Sequence, residues 1–317
     1  GGMPVILGHE MTGTVYKLGK GVHKDAMGKP LKEGDRVIYS YYSSCGHCPS
    51  CLTGAINECG ESLMRVIQPV SIEPHMLGGF AEYYYAQPGQ HIFKVPDDLS
   101  DEMVAGVNCA LSQVLHGLLQ AKLTFGESVV IQGAGGLGLY ATAIAREMGA
   151  HQVIVIDGID ARLKMAKQMG ADEVIDLKEY PDGKSRVKKV RELTGRWGAD
   201  LIVEVVGFPE VMPEGIRMMC RGGRYLTLGN VMPRATYKED PSILVGGNRS
   251  IQGVSLYPPM VLKKALDFLS RAKDRYPLAS MPEKYALSDI NKAFEDANEY
   301  VRGGNGVARA SIDFSYD

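Results

Sequence analysis

Apolar residues follow two rhythms along this chain. In the middle, short aliphatic runs rich in β-branched residues recur at 128–132, 153–156, 171–176, 199–207, 223–230 and 250–255. Runs of that length and composition predict buried parallel strands. Between them, 139–148, 187–193 and 214–220 have helical composition, the second with a basic face that reads as solvated; Cys220 reads as a packing residue. Strands alternating with helices over short loops predict an α/β fold with a doubly wound parallel sheet.

The flanking regions have a different rhythm. Residues 4–18 alternate enough to predict a strand, interrupted by Gly8 and Gly13, and 33–39 read as a turn opening another strand. Residues 77–86 predict a further strand, and 94–100 a turn into a helix with Ser100 as N-cap. That helix carries Asn108 and Cys109. From 258 to about 272 the pattern is helical again, and a short β return ends near Phe314. A β-rich region therefore precedes the α/β unit, which suits a chain of 317 residues organised in two domains.

Charge and cysteine content narrow the function classes. A net charge of −2 leaves no electrostatic footprint for nucleic acid or an anionic membrane. No apolar run spans a bilayer and no signal peptide opens the chain. The start, Gly1-Gly2-Met3-Pro4, leads almost at once into a motif and reads as the beginning of a fragment. Four of the six cysteines fall within fifteen residues, a pattern of metal binding in a reducing compartment, with the cytoplasm as the default.

Those four are Cys45, Cys48, Cys51 and Cys59, spaced C-x2-C-x2-C-x7-C. Four thiolates at this spacing close a tetrahedral zinc site on a loop and leave no open position, so the site is structural. A redox C-x-x-C pair normally opens a helix, whereas Gly46, Pro49 and Gly54 argue for loop. His47 lies among the sulfurs and reads as a spectator. A second constellation is Gly133-x-Gly135-x-x-Gly138 between the first central strand and its helix, with Leu137 beside Gly136 inside the turn. Gly133 permits the tight turn, Gly135 admits a pyrophosphate and Gly138 lets helix and strand pack closely. Asp157 ends the next strand, where a carboxylate accepts bonds from the adenosine ribose and repels a 2′-phosphate. With Gly158 following it and Arg162 the nearest base, the pattern favours NAD. His9 and Glu10 stand side by side, and alone read as a strand-end histidine with a solvated glutamate. Cys109 alone reads as core.

Taken together, Gly8-His9-Glu10, Gly34-Asp35-Arg36-Val37, the four-cysteine lobe, Gly78-Gly79-Phe80-Ala81-Glu82, Asn108-Cys109 and the glycine turn with Asp157 resemble a zinc-containing alcohol dehydrogenase of the medium-chain dehydrogenase/reductase superfamily. The resemblance runs over essentially the whole chain. It implies a GroES-like β-barrel catalytic domain over 1–110, a Rossmann NAD-binding domain over 111–255 and a return to the catalytic domain over 256–317. It also implies an active site in the cleft between the domains, and a homodimer or homotetramer built by edge pairing of the strand around Ile251. His9 and Cys109 then match ligands of a catalytic zinc, and Glu10 the acid that binds the metal or stands just outside it. The implied reaction moves hydride between a small or medium alcohol or polyol and NAD, with zinc polarising the substrate oxygen. Gly133, Gly135, Gly136, Leu137 and Gly138 would hold the pyrophosphate and Arg162 would lie by the ribose. Val206, Gly229 and Leu256 would line the nicotinamide half, and Arg309 would reach the pyrophosphate.

Two departures from the family pattern stand out. The family's first catalytic-zinc cysteine, upstream of Gly-His-Glu, has no counterpart in these residues. Gln113 stands where many members place a threonine. The first departure leaves open a non-catalytic NAD- and zinc-binding protein, distinguished from the enzyme by one zinc per chain instead of two. A zinc-free quinone reductase of the same superfamily would need neither the cysteine lobe nor His9 and Cys109.

Overall fold

A computed structural model describes residues 3–229, 236–301 and 309–315. The chain divides into two compact units, one of Gly1–Ser112 with Leu256–Asp317 and one of Gln113–Ser255. In chain order the strands are β1 (Thr12–Thr14), β2 (Arg36–Tyr39), β3 (Ile92–Lys94), β4 (Ser128–Gln132), β5 (Gln152–Asp157), β6 (Glu173–Asp176), β7 (Ala199–Glu204), β8 (Met219–Thr227), β9 (Ser250–Gly253), β10 (Pro282–Tyr285) and β11 (Arg309–Ile312).

The central unit is the doubly wound sheet that the apolar runs predict. Its six strands are ordered β6-β5-β4-β7-β8-β9 and every pairing is parallel. Val130, Ile154, Ile175, Ile202 and Tyr225 contribute to one continuous core with Ile216 and Met218 of the helix Met212–Met218. The order in which strands are added reverses at β4, with β5 and β6 to one side and β7 to β9 to the other. Open α/β sheets bind ligands beyond the carboxyl ends of the strands at such a switch point. The helix predicted over 214–220 ends at Met218, because Met219 pairs with Ala199 across the sheet. Arg249 reinforces this by donating to the Met219 and Cys220 carbonyls at 2.7 and 3.0 Å. Asn230, the last residue of the run 223–230, lies outside the described residues.

The other unit holds an antiparallel sheet β1-β2-β3 and a parallel pair β10-β11. Of the strand predicted over 4–18, only Thr12–Thr14 joins a sheet. Gly8 has φ +90°, outside the extended region, and breaks the run. Residues 77–86 form bends, not the predicted strand. The Gly79 and Phe80 amides donate to the Gly8 and Leu7 carbonyls at 2.8 and 2.9 Å, a short contact that never becomes a ladder. The backbones meet too closely there for side chains: a Cβ on Gly78 would sit 2.2 Å from the Ile6 carbonyl oxygen. Ser100 occupies the N-cap of the helix Asp101–Val104, although its hydroxyl makes no capping bond.

The carboxyl-terminal segment packs into this unit through the helix Met260–Ala272. Val261, Leu262, Ala265, Leu266, Phe268, Leu269 and Ala272 are buried at helical spacing along it. Just past its end, Lys273 donates to the Asp98 carbonyl at 2.9 Å and to its carboxylate at 2.7 Å, tying the returning segment to the first.

Candidate functional site

The glycine turn is built as its spacing requires. Gly133 has φ +98°, and its amide donates to the Ile156 carbonyl at 2.8 Å, which pins the turn to β5. A Cβ on Gly138 would lie 1.9 Å from the Gly133 carbonyl oxygen, so only glycine lets the helix Gly136–Glu147 start this close to β4. At Gly135, the N-cap, a Cβ would meet nothing within 4 Å, and no side chain caps the helix. Gly136 and Leu137 follow as the first helical residues. The first amides of a helix lack intrahelical partners and carry the positive end of its dipole, which suits a phosphate.

Asp157 is only 7% exposed, and both of its oxygens are already directed. Oδ2 accepts from the Ala134 amide at 2.7 Å, and Oδ1 from the amides of Gly158 and Ile159 at 2.8 and 3.0 Å. The Arg162 guanidinium stands 3.7 Å away. A carboxylate has about four acceptor sites and three are taken by these amides, so about one remains for a ribose hydroxyl. On the other side of β4, β7 ends on a second acid, Glu204, which is fully buried. Its Oε1 accepts from the amides of Val206 and Gly207 at 2.8 and 2.7 Å, and its Oε2 from the Thr227 hydroxyl at 2.7 Å. The Leu228 and Gly229 amides donate to its carbonyl at 3.0 and 3.2 Å. One residue thereby fixes the loops that carry Val206 and Gly229. Gln113 donates to the Val254 carbonyl at 2.5 Å.

In the cysteine lobe, Cys45, Cys48, Cys51 and Cys59 place their sulfurs within 4.8 Å of one another. Predicted as loop, the lobe contains a short helix Pro49–Leu52 and a 3-10 turn Ile56–Glu58, with Cys48 as N-cap and proline just inside the helix, where its missing amide costs nothing. The Cys48 amide donates to the Cys45 sulfur and the Cys45 amide to the Cys59 sulfur, each at 3.4 Å. The His47 amide is the largest influence lowering the Cys45 thiol, to about 6, while burial chiefly pushes Cys51 up to about 11. The Cys45 and Cys51 sulfurs are 3.9 Å apart. Two thiolates on one tetrahedral zinc are separated by about 3.8 Å, so the donor set fits that ion.

The second donor cluster is assembled from distant parts of the chain. His9 Nε2 meets Cys109 Sγ at 3.1 Å. On one tetrahedral zinc an imidazole nitrogen and a thiolate would stand about 3.5 Å apart, so a small separation admits the ion. Cys109 lies in a π-helical turn, Val107–Leu111, a distortion common at functional sites. The fully buried Asn108 fastens this turn to the segment that follows His9. Its Oδ1 accepts from the Met11 amide at 3.1 Å, its Nδ2 donates to the Tyr39 carbonyl at 3.3 Å, and its own carbonyl accepts from the Tyr257 hydroxyl. Glu10 Oε1 accepts from the Ala110 amide at 3.0 Å, and Oε2 pairs with Arg309. Both carboxylate oxygens are thus engaged beside the His9–Cys109 pair. Arg309, expected at a pyrophosphate, is placed against Glu10. Tyr41 lays its ring 4.8 Å from that of His9. Burial, aided by the Glu10 charge, pushes the Cys109 thiol up to about 12. Burial also raises Tyr41. The cluster borders a groove of about 870 Å³ lined by His9, Glu10, Phe80, Phe294, Arg309 and neighbours.

Among the described residues, the groups of three or more metal-type donors within 4.8 Å both lie in the cysteine lobe. Residues 136–271 match a family profile described as zinc-binding dehydrogenase, and residues 1–97 one described as the alcohol dehydrogenase GroES-like domain. This chain belongs to the zinc-binding alcohol dehydrogenase family. A 5-exo-hydroxycamphor dehydrogenase from Pseudomonas putida is 34% identical over 295 residues, covering 92% of this chain and 80% of that protein. An alcohol dehydrogenase from Geobacillus stearothermophilus is also 34% identical over 295 residues, with 92% and 79% covered. Among solved structures, an alcohol dehydrogenase from Thermotoga maritima superposes with a TM-score of 0.88 at 29% identity, over 98% of this chain and 84% of that one. Membership makes the chain a zinc-dependent oxidoreductase and disfavours the non-catalytic reading. The six cysteines are free of disulfides, and no helix among the described residues is long and apolar enough to cross a membrane.

Reading the sequence alone misses two residues that shape the site in this dehydrogenase, and the role of a third. Glu204 had a usable signal: like Asp157, it is an acid closing a buried aliphatic run. Tyr41 and the clamping role of Asn108 had none, since each depends on contacts between distant segments. Leu256 is 7% exposed with φ +59°, a backbone conformation that a γ-branched side chain rarely takes.

Proposed function

We propose that this dehydrogenase interconverts a small or medium alcohol or polyol and the matching aldehyde or ketone, with NAD as hydride carrier, using His9 and Cys109 as ligands of a catalytic zinc. The observation that carries the reading is the 3.1 Å approach of His9 Nε2 to Cys109 Sγ across 100 positions of sequence. A histidine and a half-buried cysteine brought together, with a carboxylate beside them, form a normal zinc donor set that leaves room for a substrate. When bound, the zinc would polarise the substrate oxygen and the nicotinamide would take up the hydride.

The chain's own groups prepare that chemistry. The Cys109 thiol, held protonated near neutrality by burial and by Glu10, would have to lose its proton to serve as a metal ligand. Glu10, held by Arg309 and the Ala110 amide, supplies negative charge next to the donor pair. Asn108 sets the spacing of the pair, and Tyr41 covers one side of the imidazole. In the other unit, Gly133, Gly135, Gly136, Leu137 and Gly138 offer backbone to a pyrophosphate. Asp157 accepts a ribose hydroxyl and Arg162 flanks it. Glu204 holds Val206 and Gly229, which we assign to the nicotinamide half. Cys45, Cys48, Cys51 and Cys59 hold a structural zinc. The free thiols fit a reducing cytoplasm, and β9, which pairs with β8 at the end of its sheet, fits a homodimer or homotetramer formed through that edge.

The test is His9→Ala, assayed on an alcohol and polyol panel by NADH absorbance. Loss of several kcal/mol of stabilisation predicts a fall in turnover of about 10³-fold, with NAD affinity held within about twofold. Undiminished turnover would refute the assignment.

A further inference from the structure

Two donors outside the four-sulfur set converge on one of its members. A His47 ring nitrogen, a Glu61 carboxylate oxygen and the Cys45 sulfur all lie within 4.8 Å of one another. The two sets share Cys45 and differ in their access to solvent. Cys59 is 4% exposed and the other three cysteines are half-buried, as is Glu61, whereas His47 is exposed. Glu61 also pairs with Arg65 at 3.6 Å. An exposed pair of this kind is worth little, so it releases the carboxylate at small cost. Imidazole and carboxylate are both ordinary zinc donors. The spectator reading of His47 therefore misses its position: it stands on the solvent side of the lobe, beside a sulfur that belongs to the inner set.

We propose that Cys45, His47 and Glu61 form a transit site through which zinc enters and leaves the cysteine lobe. The inference rests on the structural-zinc reading of the four cysteines. An ion enclosed by four thiolates must otherwise lose ligands before any outside donor can reach it. With Cys45 staying attached, two of the three other Zn–S bonds exchange for a Zn–N bond to His47 and a Zn–O bond to Glu61, and the third for a bond to water. Each freed thiolate takes up a proton from solvent, and no electron is transferred. A transit site lowers the barrier in both directions equally. It changes rates and leaves the affinity of the lobe alone.

The experiment follows zinc release from the zinc-loaded full chain to a colorimetric chelator, in parallel with equilibrium competition for zinc. The lobe's phase is the one that persists in Cys109→Ser. His47→Ala is expected to slow that phase about tenfold, an increase of about 1.4 kcal/mol in barrier, with equilibrium affinity within about twofold. Glu61→Gln should slow it less, and the double variant at least as much as His47→Ala. An unchanged rate in both variants would overturn the proposal, as would faster release coupled to weaker affinity, which would make His47 a static stabiliser. If the unmodified protein shows no lobe phase at all, the four-sulfur reading fails along with the inference. An intact phase that ignores both substitutions sinks the transit site alone.

Discussion

The cysteine lobe and the His9–Cys109 pair are both clusters of side chains of the zinc-donor type, built in opposite ways. The lobe draws its four sulfurs from residues 45–59, and local turns bring them together. The other pair spans 100 positions and exists only because Asn108 bridges two segments and Arg309, from the far end of the chain, holds Glu10. A local site needs the metal to order a short loop. A long-range site needs the fold to be formed already. The first should therefore govern stability and the second chemistry.

The largest effect expected from this contrast is that of Cys48→Ser. Structural zinc contributes folding free energy outright, so losing one thiolate should lower the melting temperature by about 10 °C. Turnover per folded chain should stay within a few-fold. A retained melting temperature with abolished turnover would reverse the two roles. Asp157 is an intermediate case, bridging 23 positions to Ala134. Asp157→Ala removes an acceptor for a ribose hydroxyl and leaves Arg162 without its carboxylate. The preference for NAD over NADP should shrink by about 10- to 100-fold, measured as the ratio of kcat/KM values. An unchanged ratio would remove that account of Asp157.

The smallest expected effect concerns the ion pairs that close the long-range unit. Lys284 bonds Glu102, on the helix leading towards Cys109, and pairs at 3.0 Å with Asp313, beyond β11. The Lys284 bond is the largest influence holding Glu102 near 2, while Asp313 is brought to about 2 first by Ser315 and then by Lys284. Both carboxyls titrate lower in the folded chain than in the unfolded one. Their contribution is thus complete above about pH 4–5 and is lost as pH falls through about 2. The melting-temperature gap between unmodified protein and Lys284→Met, a few degrees or less for so exposed a cluster, should close as pH drops from about 5 to 2. A gap that widens on acidification would contradict this origin.

The same contrast sets what the sequence could reveal. The parallel sheet, the glycine turn and the lobe are written in short-range spacing, so strand runs and motifs sufficed for them. His9 and Cys109 looked like a strand end and a core residue. Only resemblance to a family marked them as candidate ligands, because no spacing rule covers 100 positions. Alternation at 4–18 and 77–86 overstated the strands, since backbone contact at Gly8, Gly78 and Gly79 replaced ladder pairing. Glu204 carried the same signal as Asp157, an acid closing an aliphatic run, but the run was read through it to Gly207. His47 was passed over because four sulfurs already satisfied the ion.

The most direct test counts zinc per chain beside the melting temperature, in the unmodified protein and in Cys109→Ser. Two separable sites predict about two zinc ions falling to one, with the melting temperature held within about 2 °C. A single ion before and after, or a loss of zinc accompanied by collapse of stability, would contradict the division of one metal for the fold and one for the chemistry.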